Sequence, residues 1–122
     1  MKPANSKMAD PWPLELLSKQ QGRILNIRFD TGESFDLEAE YLRVESPSAE
    51  VKGHGPGQEV LVLGKQNVGI SAIEPVGQYA VKLVFDDGHD SGLYSWKYLR
   101  ELGDNQQANW ARYQARVHAA QQ

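Results

Sequence analysis

ILNIRFDTGESFDLEAEYLR, residues 24–43, returns in altered form as VKLVFDDGHDSGLYSWKYLR, residues 81–100. Phe29-Asp30-x-Gly32 becomes Phe85-Asp86-x-Gly88, and Tyr41-Leu42-Arg43 becomes Tyr98-Leu99-Arg100, with one residue added in the second copy. Positions shared by two copies report mainly on folding, whereas differences between them point to use. The largest difference replaces Glu33 with His89 and sets it among Asp86, Asp87 and Asp90.

Each copy reads as a hairpin followed by a short helix. Leu25, Ile27 and Phe29 alternate with the two-residue period of a strand, and Phe35 and Leu37 resume it after the turn 30–33. Residues 38–44 suit a helix with Glu38 and Glu40 at its positive end and Arg43 at its negative end, stopped by Pro47. In the second copy Tyr79, Val81, Leu83 and Phe85 share a face, Asp87-Gly88 forms the turn and Gly92-Leu93-Tyr94 returns. Ser95 is the expected N-cap of a helix over 96–102, with Gly103 as its C′ residue.

Between and around the copies, Pro11-Trp12-Pro13 sets an extended lead-in that anchors Trp12 and Leu14 on the core. Residues 45–59 read as loop, and 60–63 as a short buried strand or turn. Val68, Ile70 and Ala72 then alternate, and Pro75 predicts a bulge or an edge position. A last helix over about 104–119 presents Trp110, Tyr113 and Val117, with His118 facing solvent. The expected organisation is a flexible tail over 1–10, one α+β domain of hairpins and short helices over 11–103, and a C-terminal helix over 104–122 that frays at its end.

The 122 residues suffice for one core and carry a net charge of −3 without a basic stripe, so nucleic acid is not an expected partner. No apolar run approaches the roughly 18 residues of a membrane span, and no membrane contact is expected. The absence of cysteine removes disulfides and thiolate metal sites and agrees with a cytoplasmic location.

Two segments bear groups capable of chemistry. His89 beside Asp87 offers an imidazole and a carboxylate for a divalent metal or a general base; the plainer reading is an acidic turn with a locally bonded histidine. Gly53-His54-Gly55 would let backbone amides approach a ligand, although no phosphate-loop signature accompanies it. Tyr94 and Trp96 are candidate partner-binding aromatics, or split between core and surface. There is no G-x-S-x-G, no H-E-x-x-H and no histidine followed two positions later by Asp or Glu, so an enzyme is not expected.

The run Leu42-Arg43, Ser46-Pro47-Ser48-Ala49-Glu50, Gly53-His54-Gly55, Val76-Gly77-x-Tyr79-Ala80 and Phe85-x-Asp87-Gly88-His89-x-Ser91-Gly92-x-Tyr94-x-Trp96-x-Tyr98-Leu99-Arg100 closely resembles the gamma-butyrobetaine hydroxylase-like N-terminal domain over about residues 13–103. The resemblance implies an α+β fold akin to stand-alone bacterial members without an assigned role. It also implies kinship with domains that precede the oxygenase domain of two dioxygenases or accompany iron–sulfur carrier ATPases. In the eukaryotic dioxygenases this domain holds a structural zinc through three cysteines and a histidine. Those positions fall on Ser46, Ser48, Val51 and His89, so three of four ligands are replaced and no cofactor is expected. The resulting expectation is a non-enzymatic binding or accessory module for another protein. Its face would be the loop 45–57 with Ser46, Ser48, Gly53, His54 and Gly55, together with Asp86–Trp96. The alternative is a metal-binding accessory of iron–sulfur assembly using His89, His54 and Asp87, with zinc or iron as the metal.

Overall fold

The computed structural model describes residues 10–53, 55 and 57–121. Most of the expected tail, and His54 with it, lies outside the described residues. Two three-stranded antiparallel sheets form, β1 (Pro13–Lys19), β2 (Ile24–Phe29) and β3 (Ser34–Glu38) in one, β4 (Ile70–Val76), β5 (Ala80–Phe85) and β6 (Leu93–Ser95) in the other. Helix α1 (Ala39–Val44) follows the first sheet, and α2 (Ala49–Lys52) follows α1. Helices α3 (Trp96–Asp104) and α4 (Gln106–Ala120) follow the second sheet. The fold is α+β, and no described helix is long and apolar enough to cross a membrane.

The alternating residues do what their period requires. Leu25, Ile27 and Phe29 from β2 and Val81, Leu83 and Phe85 from β5 are buried against one another in a single core with Leu37, Tyr41, Leu42, Tyr94 and Leu99. Each such large apolar side chain contributes about 1.5–3 kcal/mol on burial. Gly32 and Gly88 take φ of 101° and 92° at the two hairpin turns, a region open to glycine at little cost.

The two copies match bond for bond. Asp30 N–H donates to the Trp12 carbonyl at 2.8 Å, and Asp86 N–H to the Gly69 carbonyl at 2.9 Å. Ala39 N–H donates to Arg23 and Trp96 N–H to Tyr79, at 2.8 and 2.9 Å. Strands β1 and β4 even share the place of their bulge, at Pro13/Glu15 and Ile70/Ala72.

Across the copies the bonds are reciprocal. The Tyr41 hydroxyl donates to the Leu102 carbonyl at 2.7 Å, and the Tyr98 hydroxyl to the Glu45 carbonyl at 2.5 Å. Both acceptors belong to helix ends, where carbonyls lack intrahelical partners. Arg43 Nε reaches Asp87 Oδ2 at 2.8 Å, and its counterpart Arg100 reaches Thr31 Oγ1, the position equivalent to Asp87, at 3.1 Å. Each half thus finishes the helix and braces the turn of the other, the pattern of an approximate two-fold relation.

Several expectations need correction. Residues 13–19 are a full strand, and Leu14, the extra residue of its bulge, is 55% exposed instead of anchoring the core. The segment 45–59 contains α2, because Ser48 Oγ accepts from Glu50 N–H at 3.2 Å and caps a helical turn. Residues 60–63 form no strand, and Val60 and Leu63 are exposed. Gly103 lies inside α3, which ends on Asn105; a Cβ there would sit 2.6 Å from the Phe35 ring, so its role is close packing. Ser95 does cap α3, accepting from Tyr98 N–H at 3.0 Å.

Tyr41→Phe and Tyr98→Phe should each cost about 1 kcal/mol in urea unfolding, the net worth of one such bond with its acceptor left unpaired. Burial pushes the Tyr41 hydroxyl up from 10.0 to about 12, and it pushes Tyr94 and Tyr98 higher still. A folded-state value above the unfolded one means that the contribution is whole below about pH 10 and is lost as pH rises through 12. Alkaline unfolding curves should therefore turn down above pH 10, and the Phe variants should flatten that limb.

Candidate functional site

The turn after β5 and the loop after α1 meet at His89. Its side chain is 3% exposed, with Nε2 2.8 Å from Ser46 Oγ and Nδ1 3.2 Å from Glu50 Oε2. Ser46 is wholly buried, and its Oγ also accepts from Ser48 N–H at 3.2 Å. Ser48 Oγ lies 2.7 Å from Ser91 Oγ. His89, Ser46, Ser48 and Ser91 form a polar clasp that fixes the α1–α2 loop on the second hairpin.

The clasp exists because the copies differ in bulk at equivalent places. In one half Phe35 fills the space beside Gly103; in the other Gly92 leaves space beside Ser46, where an added Cβ would lie 2.5 Å from Oγ. Glycine for phenylalanine opens the room, serine for glycine puts a hydroxyl in it, and histidine for Glu33 supplies its partner. Glu33 itself stays at the surface, paired with Arg100 at 3.1 Å.

Asp87 serves a different purpose from the one its place in the acidic turn suggested. Its Oδ2 sits 2.8 Å from Arg43 Nε and 2.7 Å from Lys65 Nζ, and its Oδ1 accepts from His89 N–H at 3.0 Å. Burial pushes its carboxyl up, but the bonds from Lys65, the His89 amide and Arg43 outweigh this and hold it well below the usual range. It is a brace between the halves. Of the metal set His89, His54 and Asp87, the carboxylate of Asp87 faces two cations, and His54 lies outside the described residues.

The zinc expected of the family's dioxygenase members does not fit these residues either. Ser46 and Ser48 offer bonded hydroxyls in place of thiolates, Val51 offers no donor and is buried, and both ring nitrogens of His89 have partners. Among the described residues no group of three histidines and carboxylates could hold a metal ion.

Ser46, His89 and Glu50 do have the connectivity of a hydrolytic triad, hydroxyl to Nε2 and Nδ1 to carboxylate. A nucleophile must reach its substrate, and Ser46 has no exposed surface. The arrangement is structural.

Of the partner-binding candidates, Ser46, Ser48 and Tyr94 are corrected by burial. Tyr94 is fully enclosed, and its hydroxyl donates to the Leu42 carbonyl at 2.6 Å. Gly53 and Gly55 are half-buried. Trp96 is half-buried at the edge of the core, its Nε1 donating to the Gln78 carbonyl at 2.8 Å. It stands in an aromatic notch that the sequence reading missed. Trp12 packs edge-on against Tyr79 and Trp96, with centroids 6.2 and 6.3 Å apart, beside a cavity of about 290 Å³. No local signal in the sequence brings Trp12 to Tyr79 and Trp96, which lie 67 and 84 positions further along the chain.

The sequence model described as gamma-butyrobetaine hydroxylase-like, N-terminal, matches residues 16–100. The chain belongs to this family. One solution NMR structure is 54% identical over all of this chain and 89% of its own, with a TM-score of 0.79. A second is 47% identical over 93% of this chain and 90% of its own, with a TM-score of 0.80. A crystal structure from Acidithiobacillus ferrooxidans ATCC 23270, described as a DUF971-family protein of unknown function, is 37% identical. It covers 75% of this chain and 91% of its own, with a TM-score of 0.62. No curated protein matches the chain.

His89→Ala should cost about 2–3 kcal/mol in urea unfolding, because it leaves buried Ser46 Oγ without its partner and opens a cavity. Glu50→Ala should cost well under about 1 kcal/mol, because Glu50 is 70% exposed and its ion pair is screened. Equal losses would contradict this reading of the clasp.

Proposed function

We propose that this chain is a non-catalytic binding module that docks another protein through the aromatic notch of Trp12, Tyr79 and Trp96. One observation carries the reading. The equivalent positions, at the other junction between the two copies, are Gly69, Arg23 and Ala39, and the backbone bonds there are the same. The twin junction closes without aromatic rings, whereas this one carries three, Trp12 and Trp96 half-buried and Tyr79 43% exposed. Surface tryptophan and tyrosine are the side chains that most often anchor a protein interface, because they bury large area with few rotatable bonds.

The working face thus keeps the Asp86–Trp96 segment at its Trp96 end and gains Trp12 and Tyr79. The loop after α1 is bonded instead to His89 and Ser91 at the turn of the second hairpin and supplies no lining residue to the notch. Burial of Ser46 supports the non-catalytic part of the proposal, and the cysteine-free composition supports a cytoplasmic setting. No observation favours the metal-handling alternative.

Protein captured from cell extract by the wild-type chain should be lost with Trp96→Ala and with Tyr79→Ala, while amide spectra show both variants folded. An Asp90→Ala control should capture normally. Equal capture by wild type and both aromatic variants would defeat the proposal.

A further inference from the structure

We propose that β1 is the seam of a homodimer, in which two copies pair their β1 strands antiparallel about Leu17 and join their sheets into one of six strands. β1 is an outer strand of its sheet, and Leu14, Glu15, Leu17, Ser18 and Lys19 are all exposed. An outer strand offers a row of unpaired N–H and C=O groups, and proteins usually blunt such a row.

The other outer strands here are blunted, each by a recognisable device. β4 carries Pro75 at the position where β1 has Ser18, removing a donor from that edge. β6 is only three residues long. On β3 the side chain of Gln106 donates to the Asp36 carbonyl at 3.3 Å. β1 has seven residues and, among the described residues, none of these covers. Its bulge does not set it apart, since β4 has one in the same place.

The partner follows from the side chains that β1 presents. Glu15, Leu17 and Lys19 alternate on the face of the sheet turned away from the core, opposite Arg28, Asn26 and Ile24 of β2. Antiparallel pairing about a two-fold through Leu17 sets Leu17 against its copy and each Glu15 opposite the Lys19 of the other chain. A directly opposed pair of unlike charges stabilises a sheet, and like charges destabilise it. Pairing about Leu16 instead would oppose Glu15 to Leu17 and Pro13 to Lys19, with no charge matched. The strand is therefore complementary to itself in one register. Within its own chain Glu15 reaches only Arg28, at 4.0 Å, and Lys19 reaches Asp36 at 3.2 Å, both at the surface, so neither is locked away from a second copy. The seam is short, which makes the dimer a weak one that fills as concentration rises.

Sedimentation equilibrium from micromolar to millimolar protein tests this. The wild type should move from 13.7 kDa towards twice that mass. Glu15→Lys and Lys19→Glu should each hold the chain at the monomer mass, because each sets like charges opposite twice over, and amide spectra should show both variants folded. The double variant should dimerise again, a rescue that damage to the fold would not produce. A wild type at monomer mass throughout, a dimer indifferent to the single changes, or a double variant that stays monomeric would overturn the proposal.

Discussion

Two tyrosine hydroxyls, each bonded to the last turn of the other half's helix, are the contacts on which this architecture turns. Neither three-stranded sheet with its short helix has enough apolar surface to bury alone. The halves must meet face to face, and meeting covers helix-end carbonyls, one fully and one in part. Tyr41 and Tyr98 satisfy those carbonyls while adding their rings to the shared core, so one residue type in each copy meets both demands. Arg43 and Arg100 repeat the logic at the turns.

Reciprocity also makes the departures from it readable. At one junction a glycine for a phenylalanine and a serine for a glycine create the buried clasp around His89, which settles the position of a loop rich in glycine and proline. At another, three aromatic rings stand where the twin junction has glycine, arginine and alanine. The first departure is enclosed and has its polar groups paired, which marks it as structural. The second is partly open to solvent at Tyr79 and is not repeated at the twin junction, which is why the functional reading rests on it.

Much of this architecture was legible in the sequence. The alternation of Leu25, Ile27 and Phe29, repeated by Val81, Leu83 and Phe85, marked both central strands, and Ser95 marked the start of α3. Polar alternation hid β1, because a strand with five exposed residues has almost no apolar period to read. Gly103 looked like a helix terminator, since nothing local reveals that Phe35 packs on it. Ser46 and Ser48 drew attention as the positions of the family's zinc ligands and Tyr94 as an aromatic; only the approach of the two halves shows that each is bonded across it. The notch escaped for the same reason, as Trp12 and Trp96 are far apart in the chain and meet through the two-fold relation.

The central claim is that the halves form one cooperative unit, each completed by the other. Native-state hydrogen exchange measures this most directly, since it resolves the opening free energy of each strand amide. The account predicts one common, global value for Leu25 and Ile27 in β2 and for Val81 and Leu83 in β5. Two distinct values, with one half opening while the other stays protected, would contradict it.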